Sequence, residues 1–388
     1  MCLKHLDLDK DKKILLDIWN STLKTNNQPH DGGKIMSKVN LDKLKTVVQS
    51  AEKPFKILIT GVDPDSMGSA FALAALIEFL SGEVAGSIQV CYFGAIGHRQ
   101  NKTIDNLYNL ESMMMMVTDD EDFDNYHVCL VDSCTVADSR MGKHRNSFVP
   151  LIVVDHHRGI DFEVGDDQFC WIDEIGACAT MLVELMQHYK FELDESDRFI
   201  YNMLAIGIYS DTDSLNSAGA RDREAFNYVR GFVSEAEFVK FSQYTLPESY
   251  YMNLYYAIGR REQVGSKVLT NIGYIDPEEG DDLAMIANQL VRKDGVSMVV
   301  VWGIVGGKVR ISVRNLDISI SLPKWMKERF GDRAGAKMAP DGRAEGGGTI
   351  DMEFDKFWLC DDNKAEIIGI MTKKFRTLVF EPEKEAKS

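Results

Sequence analysis

Five aspartates and two histidines define the chemistry open to this 388-residue chain. Asp63 and Asp65 lie two apart in Gly61-Val62-Asp63-Pro64-Asp65-Ser66. Asp132 stands in Val131-Asp132-Ser133, Asp155-His156-His157 is an unbroken triplet, and Asp211 stands in Ser210-Asp211-Thr212-Asp213. Carboxylates crowded into one crevice repel and shift one another's pKa values, and divalent cations relieve that repulsion. Carboxylate oxygen mixed with imidazole nitrogen suits Mn²⁺ or a similar first-row ion better than Ca²⁺. Two such ions about 3.5–4 Å apart clamp a phosphoryl group for hydrolysis, with one carboxylate bridging them and a water activated between them.

An isolated Asp-Pro-Asp is more simply a helix N-cap followed by a turn acid, so the weight rests on the elements that place these groups. Phe148–Val154 is an apolar run that reads as a buried strand. Its paired part begins at Leu151, because Pro150 lacks a ladder donor. Phe55–Gly61 reads as a strand, followed by the acidic loop and an Ala-rich apolar helix over Met67–Leu80. Ser87–Phe93 and Tyr126–Val131 read as further strands, and Met113–Met116 as core filling. Helices are expected over Gly176–Tyr189 and Glu195–Ile208, the latter leading to Asp211, which is grouped with the acidic strand ends. Alternating strands and helices predict an α/β fold with a doubly wound, mostly parallel sheet. Such sheets place their ligand sites beyond the carboxyl ends of the strands.

From about Lys267 the pattern changes. Val268–Ile275, Val296–Ile304 and Lys308–Arg314 alternate as strands, with Gly306-Gly307 as a hairpin turn between two of them. Helices are expected over Asp281–Val291 and Leu322–Phe330. The glycine-rich stretch from Gly331 to Thr349 reads as loop, with Gly346, Gly347 and Gly348 a turn suited to phosphate contact. The organisation is a helical N-terminal extension (1–54), a doubly wound domain (55–225), a helical linker (226–265) and a second, smaller α/β domain (266–388). The extension, with helical patches at Ile14–Trp19 and Leu41–Val48, is a packing or homodimer element.

A net charge of −16 argues against a broad duplex nucleic-acid surface. It leaves open a small phosphorylated partner, because bound metal reverses the local sign. No apolar run approaches the ~20 residues of a membrane span, and the first residues lack the apolar core of a secretory signal. Seven cysteines with no Cys-x-x-Cys pair predict reduced thiols and a cytoplasmic location. Cys129, Cys134 and Cys178 read as small core residues.

The segments Asp63-Pro64-Asp65-Ser66-Met67-Gly68-Ser69, Val131-Asp132-Ser133, Asp155-His156-His157 and Ser210-Asp211-Thr212-Asp213 stand in the order and rough spacing of the four motifs of the DHH phosphoesterase superfamily. Arg310-Ile311-Ser312-Val313-Arg314 and Gly346-Gly347-Gly348 resemble the DHHA1 substrate-binding domain of its nano-RNase (oligoribonuclease-like) and phosphodiesterase branch. The resemblance spans residues 55–380. It implies two Mn²⁺ ions per chain, with Asp63 on one, Asp65 on the other and Asp132 bridging them. His156 and Asp211 would complete the second site. His157 would face the substrate phosphate, and Asp155 would orient the histidines through hydrogen bonds. Arg314 and Arg343 would grip a terminal phosphate, with the backbone of Gly346–Gly348 beside it.

The chain departs from the family in two places. No histidine occurs among Ile59–Val62, where motif I of this branch carries one, which leaves the first metal site to water or to His98. The glycine run ends in Thr349 where the family has histidine, and no histidine follows His188. Phosphate binding there falls to Lys337 or Arg343. The implied activity is hydrolysis of short phosphodiesters, linear dinucleotides such as pGpG or nanoRNA, in a cleft between two domains. A 3′-phosphoadenosine 5′-phosphate phosphatase and a cyclic dinucleotide phosphodiesterase are the enzyme alternatives. A degenerate module that senses nucleotides without turnover is the alternative of another class.

Overall fold

The computed structural model describes residues 39–82, 88–157, 159–338, 342–351 and 361–381. The expected Ile14–Trp19 helix and the charged tail from residue 382 lie outside them. The first strand, β1 (Phe55–Ile59), is buried at all five positions. A run that is apolar on both faces is satisfied only in a sheet covered on both sides, the setting of parallel strands. Lys56, the polar exception, is 1% exposed; its ammonium pairs with Glu121 and lies 3.9 Å from the Tyr126 ring centroid.

On one side of β1 pair β2 (Ile88–Tyr92) and then β3 (Met114–Met116). On the other pair β4 (His127–Val131), β5 (Ile152–Asp155) and β6 (Phe169–Ile172). All contacts are parallel, in the order β3-β2-β1-β4-β5-β6. The winding reverses between β1 and β4, so a crevice opens beyond their carboxyl ends. This is the doubly wound α/β sheet expected from the alternation. The methionine run is only half core: Met114 is buried, whereas Met113 and Met116 are 45% and 52% exposed.

Helices α1 (Asp42–Gln49), α2 (Pro64–Ser81), α3 (Arg99–Tyr108), α4 (Cys178–Tyr189) and α5 (Phe199–Asp211) pack around this sheet. Three helices, α6 (Ala220–Arg230), α7 (Glu235–Ser242) and α8 (Glu248–Arg260), then lead to a second, mixed sheet. Its strands are β7 (Glu262–Val264), β8 (Lys267–Ile275), β9 (Met298–Val305), β10 (Lys308–Asn315), β11 (Ala334–Met338) and β12 (Ala344–Asp351), in the order β11-β12-β10-β9-β8-β7. Only β8 and β9 run parallel. Tyr250 and Ala257 of α8 and Ile286 of α9 (Asp282–Leu290) cover one face. Trp325 of α10 (Leu322–Phe330) and Phe375 of α11 (Asp361–Phe380) cover the other, where Phe375 stacks on Trp302 at 4.8 Å.

Gly306 and Gly307 have φ of 56° and 80°, as a two-residue turn between β9 and β10 requires. The stretch read as a glycine turn is instead the interior of β12, paired with β10 on one side and β11 on the other. Glycine carries little strand signal of its own. Here the fold needs it: a Cβ on Gly348 would fall 2.6 Å from Ala334 Cβ and 2.8 Å from the Arg333 carbonyl oxygen. No helix among the described residues is long and apolar enough to cross a membrane.

Candidate metal centre

Asp63 is the N-cap of α2. Its Oδ1 accepts from the Ser66 amide at 2.8 Å, and Ser66 Oγ accepts from the Asp63 amide at 3.0 Å, a capping box with Pro64 at the first helical position. Asp65 is fully buried and turned elsewhere. Its two oxygens accept from the amides of Cys178 and Ala179 at the start of α4, both at 2.7 Å. Each carboxylate is therefore committed to a different helix start, Asp63 to that of α2 and Asp65 to that of α4.

Helices α2 and α5 cross at glycines. A Cβ on Gly68 would lie 2.9 Å from the Met203 carbonyl carbon, and one on Gly207 would lie 2.8 Å from Asp65 Cα. Asp211 lies four residues beyond Gly207, about one turn along the same helix face. The glycine contact thus brings the Asp211 carboxylate to the Asp65 side. Asp211 is the last residue of α5, so it comes from a helix end and not a strand end. The turn after it is left-handed at three consecutive residues, Asp213, Ser214 and Leu215, with φ of 49°, 58° and 67°. Such positions cost on the order of 1–3 kcal/mol each.

Asp132 follows β4 with φ of 53°, and the two histidines follow β5. His156 Nδ1 donates to the Ile175 carbonyl at 3.1 Å, which leaves Nε2 as its ligand nitrogen. That Nε2 lies 3.2 Å from Asp132 Oδ1, 3.7 Å from Asp211 Oδ2 and 4.0 Å from Asp65 Oδ2. Despite the proximity, His156 Nε2 and Asp132 Oδ1 are buried without an aligned hydrogen-bond partner. Three carboxylates and one imidazole nitrogen around orphaned atoms make a donor set that fits a divalent cation.

Among the described residues, two groups have ligand atoms within 4.8 Å of one another: Asp65, His156 and Asp211, and Asp132, Asp155, His156 and His157. His156 belongs to both. In the second group Asp155 Oδ1 accepts from His157 Nδ1 at 2.8 Å and from the His157 amide at 3.1 Å. His157 Nε2 meets Lys337 Nζ at 2.7 Å. Asp63 belongs to neither group. Nor does His98, whose Nδ1 accepts from the Gln100 amide at 3.2 Å and caps α3. Asp63 and His98 line the same cleft, and among the described residues neither joins the two ligand groups.

Burial raises Asp65 to about 6, opposed by His156 and the two amides and reinforced by Asp63. Burial also lifts Asp132 and Asp211 well above the carboxylate range, with neighbouring carboxylates adding to it. For Asp155 burial is outweighed by the His157 and Cys134 hydrogen bonds, which hold it low. His156 shows the demand for positive charge most directly. Burial would lower its pKa, yet Asp132, Asp65 and Asp211 push it up to about 10. A divalent cation supplies the same charge and displaces these protons.

A cleft of about 920 Å³ runs from Asp63 and Asp211 past the Gly94–Gly97 loop to Tyr92 and Glu111, and Asp281 before α9 and Arg310 of β10 contribute to its wall. An adjoining hollow of about 700 Å³ is lined by Arg310, Arg314, Lys337 and Gly346–Gly348. Arg314 is occupied by Asn288 and by Glu345 at 3.3 Å, and Arg343 pairs with Asp213. Arg310, on the same β10 face as Arg314, makes no ion pair among the described residues and lines both spaces. The sequence points to Arg310 only as part of the Arg310–Arg314 segment, with no role of its own, although it shares a strand face with Arg314. Sequence reasoning also passed over Gly68 and Gly207, small residues on helix faces that otherwise carry bulky side chains.

Residues 56–208 match the family described as the DHH family, N-terminal domain. An uncharacterized protein of Methanocaldococcus jannaschii is 28% identical over 329 residues, covering 82% of this chain and 64% of that protein. The chain thus spans a little under two thirds of that relative's length. In fold, the chain is similar to the crystal structure of an exopolyphosphatase-related protein from Bacteroides fragilis. The TM-score is 0.62 at 13% identity, over 88% of this chain and 97% of the other.

Proposed function

We propose that the chain, whose residues 56–208 match the DHH family, N-terminal domain, is a metal-dependent phosphoesterase acting on short phosphodiesters such as pGpG or nanoRNA. The observation that carries this reading is the convergence of Asp65, Asp132 and Asp211 within 4.0 Å of one unpartnered imidazole nitrogen, His156 Nε2. We assign Asp65, Asp211 and His156 to one Mn²⁺ and Asp132 to a position shared with a second, with Asp63 at the mouth of the cleft. Bound there, the ions supply Lewis-acid charge and an activated water.

The chain's own groups do the rest. Asp155 holds His157 through Nδ1, so Nε2 is the nitrogen that faces the cleft. Arg310, which makes no ion pair among the described residues, binds a phosphate from the side of the second sheet. Gly346–Gly348 let a ligand approach the β12 backbone in the adjoining hollow. A cleft walled by acids on one side and cations on the other suits a short ligand with one terminal phosphate. The net charge of −16 disfavours a long polyanion.

The test is release of mononucleotide from pGpG by the full chain with Mn²⁺, run beside 3′-phosphoadenosine 5′-phosphate and a cyclic dinucleotide. Hydrolysis of pGpG that is lost in Asp132→Asn supports the reading. No turnover of any of the three, or turnover unchanged by that substitution, sinks it. Binding of pGpG without turnover would favour the nucleotide-sensing alternative.

A further inference from the structure

Two cations of the second sheet reach across the cleft to the metal-centre side. Arg343 pairs with Asp213, and Lys337 of β11 sets its Nζ 2.7 Å from His157 Nε2. The two contacts differ in kind. The Arg343 charge is already met by a carboxylate, so an entering phosphate gains that guanidinium only by breaking an ion pair. Lys337 makes no ion pair among the described residues: Glu345, opposite it in β12, pairs with Arg314 instead. Its partner is an imidazole whose other nitrogen is committed to Asp155 at 2.8 Å. The ammonium therefore donates to the lone pair of a neutral acceptor.

Its position is equally specific. Lys337 is exposed and lines the hollow that holds Arg310 and Gly346–Gly348. The same side chain touches the histidine next to His156. It thus stands where that hollow meets the metal centre. A hydrogen bond from an ammonium to an anionic oxygen is stronger than one to a neutral acceptor, so a phosphate arriving there outcompetes the imidazole.

We propose that Lys337 binds the phosphate of the substrate at the metal centre. In the ligand-free chain its ammonium is parked on His157. A bound phosphate oxygen takes over that N–H, and His157 Nε2, released, faces the same phosphate. One hydrogen bond is exchanged for another, and no covalent bond or proton is transferred. The inference rests on the phosphoesterase reading.

The test compares wild type with Lys337→Met, Lys337→Arg and Arg343→Met, using pGpG and Mn²⁺. A lost hydrogen bond to a charged group predicts a KM raised about tenfold or more in Lys337→Met, with a smaller change in kcat. Lys337→Arg recovers most of the loss, and Arg343→Met shows less. Because Lys337 holds no ion, the rise in Tm on adding Mn²⁺ stays at the wild-type value in Lys337→Met. A wild-type KM in Lys337→Met overturns the proposal while leaving the phosphoesterase reading intact. If wild type turns over nothing, that reading fails instead, and calorimetric binding of pGpG in Ca²⁺ decides on Lys337. Weaker binding by Lys337→Met upholds the proposal; equal binding, or none by wild type, overturns it.

Discussion

Asp132→Asn separates the charge of the metal centre from its shape. Asp132 has φ of 53°, a left-handed conformation in which asparagine is as much at home as aspartate. Its buried Oδ1 has no hydrogen-bond partner to lose, and the amide matches the carboxylate in volume. What disappears is a negative charge that burial, Asp63 and Asp65 oppose and that His156 favours. Without added metal, the opposing effects leave the variant expected to be about as stable as wild type. With Mn²⁺ the two separate. At a concentration 100 times Kd, one ion stabilises wild type by about 2.7 kcal/mol, whereas a variant binding about 100-fold more weakly keeps only about 0.4 kcal/mol. Unfolding entropy of about 2.1 cal/mol/K per residue over 388 residues converts the difference of about 2.3 kcal/mol into about 3 °C. Loss of both ions doubles that to about 6 °C. Thermal scans with Mn²⁺ or EDTA, paired with pGpG turnover, measure both effects. A full Mn²⁺-dependent rise in Tm in Asp132→Asn would refute the shared-ligand assignment.

Gly207→Ala is expected to cost about 1–3 kcal/mol through overpacking, because its Cβ would lie 2.8 Å from Asp65 Cα; denaturant melts measure the cost, and a weaker Mn²⁺ response should accompany it. The pH dependence without metal has a defined sign. Asp65 is raised from 3.8 to about 6 by burial, so the folded state binds its proton more tightly than the unfolded chain does. Its contribution is fully present below pH 3.8 and declines as pH rises through 6, while the Mn²⁺-induced rise in Tm grows over the same interval. A Mn²⁺ effect that shrinks from pH 5 to 7 would contradict this. Arg310→Met is expected to raise KM for pGpG about tenfold with the Mn²⁺ response in Tm intact; a change in metal response with no change in KM would place Arg310 outside the phosphate site.

The strands that carry the site were legible because parallel strands buried on both faces read as unbroken apolar runs, and β1, β4 and β5 each run into acids or histidines. Asp211 was harder to place. The helix that carries it is buried on nearly every side, so Phe199–Ile208 has the same uniform apolarity as a core strand. The role of Asp65 as acceptor for the start of α4 was not legible at all. It depends on amides of Cys178 and Ala179 more than a hundred positions away in the chain, a tertiary bond that no local pattern announces. The Gly346–Gly348 strand was missed for the opposite reason: its signal lies in its neighbours, since Arg333 and Ala334 approach too closely for any side chain. Which arginine of β10 stays available was likewise decided by partners on other elements, Asn288 and Glu345.

The adjacency of His156 and His157 follows from strand geometry. Successive residues at the end of β5 leave the chain in different directions, and the two rings stand at 66° with centroids 4.3 Å apart. Each ring is fixed through Nδ1, His156 by the Ile175 carbonyl and His157 by Asp155. Each therefore presents Nε2, but to different neighbours: His156 to three carboxylates, His157 to an ammonium from the other sheet. The triplet thus works as a junction in which one imidazole serves the metal side and the next serves the ligand side. Asp155 is the last residue of β5, paired with Ile172 and fully buried. The two rings serve different neighbours from adjacent positions, which accounts for an Asp-His-His run without a spacer.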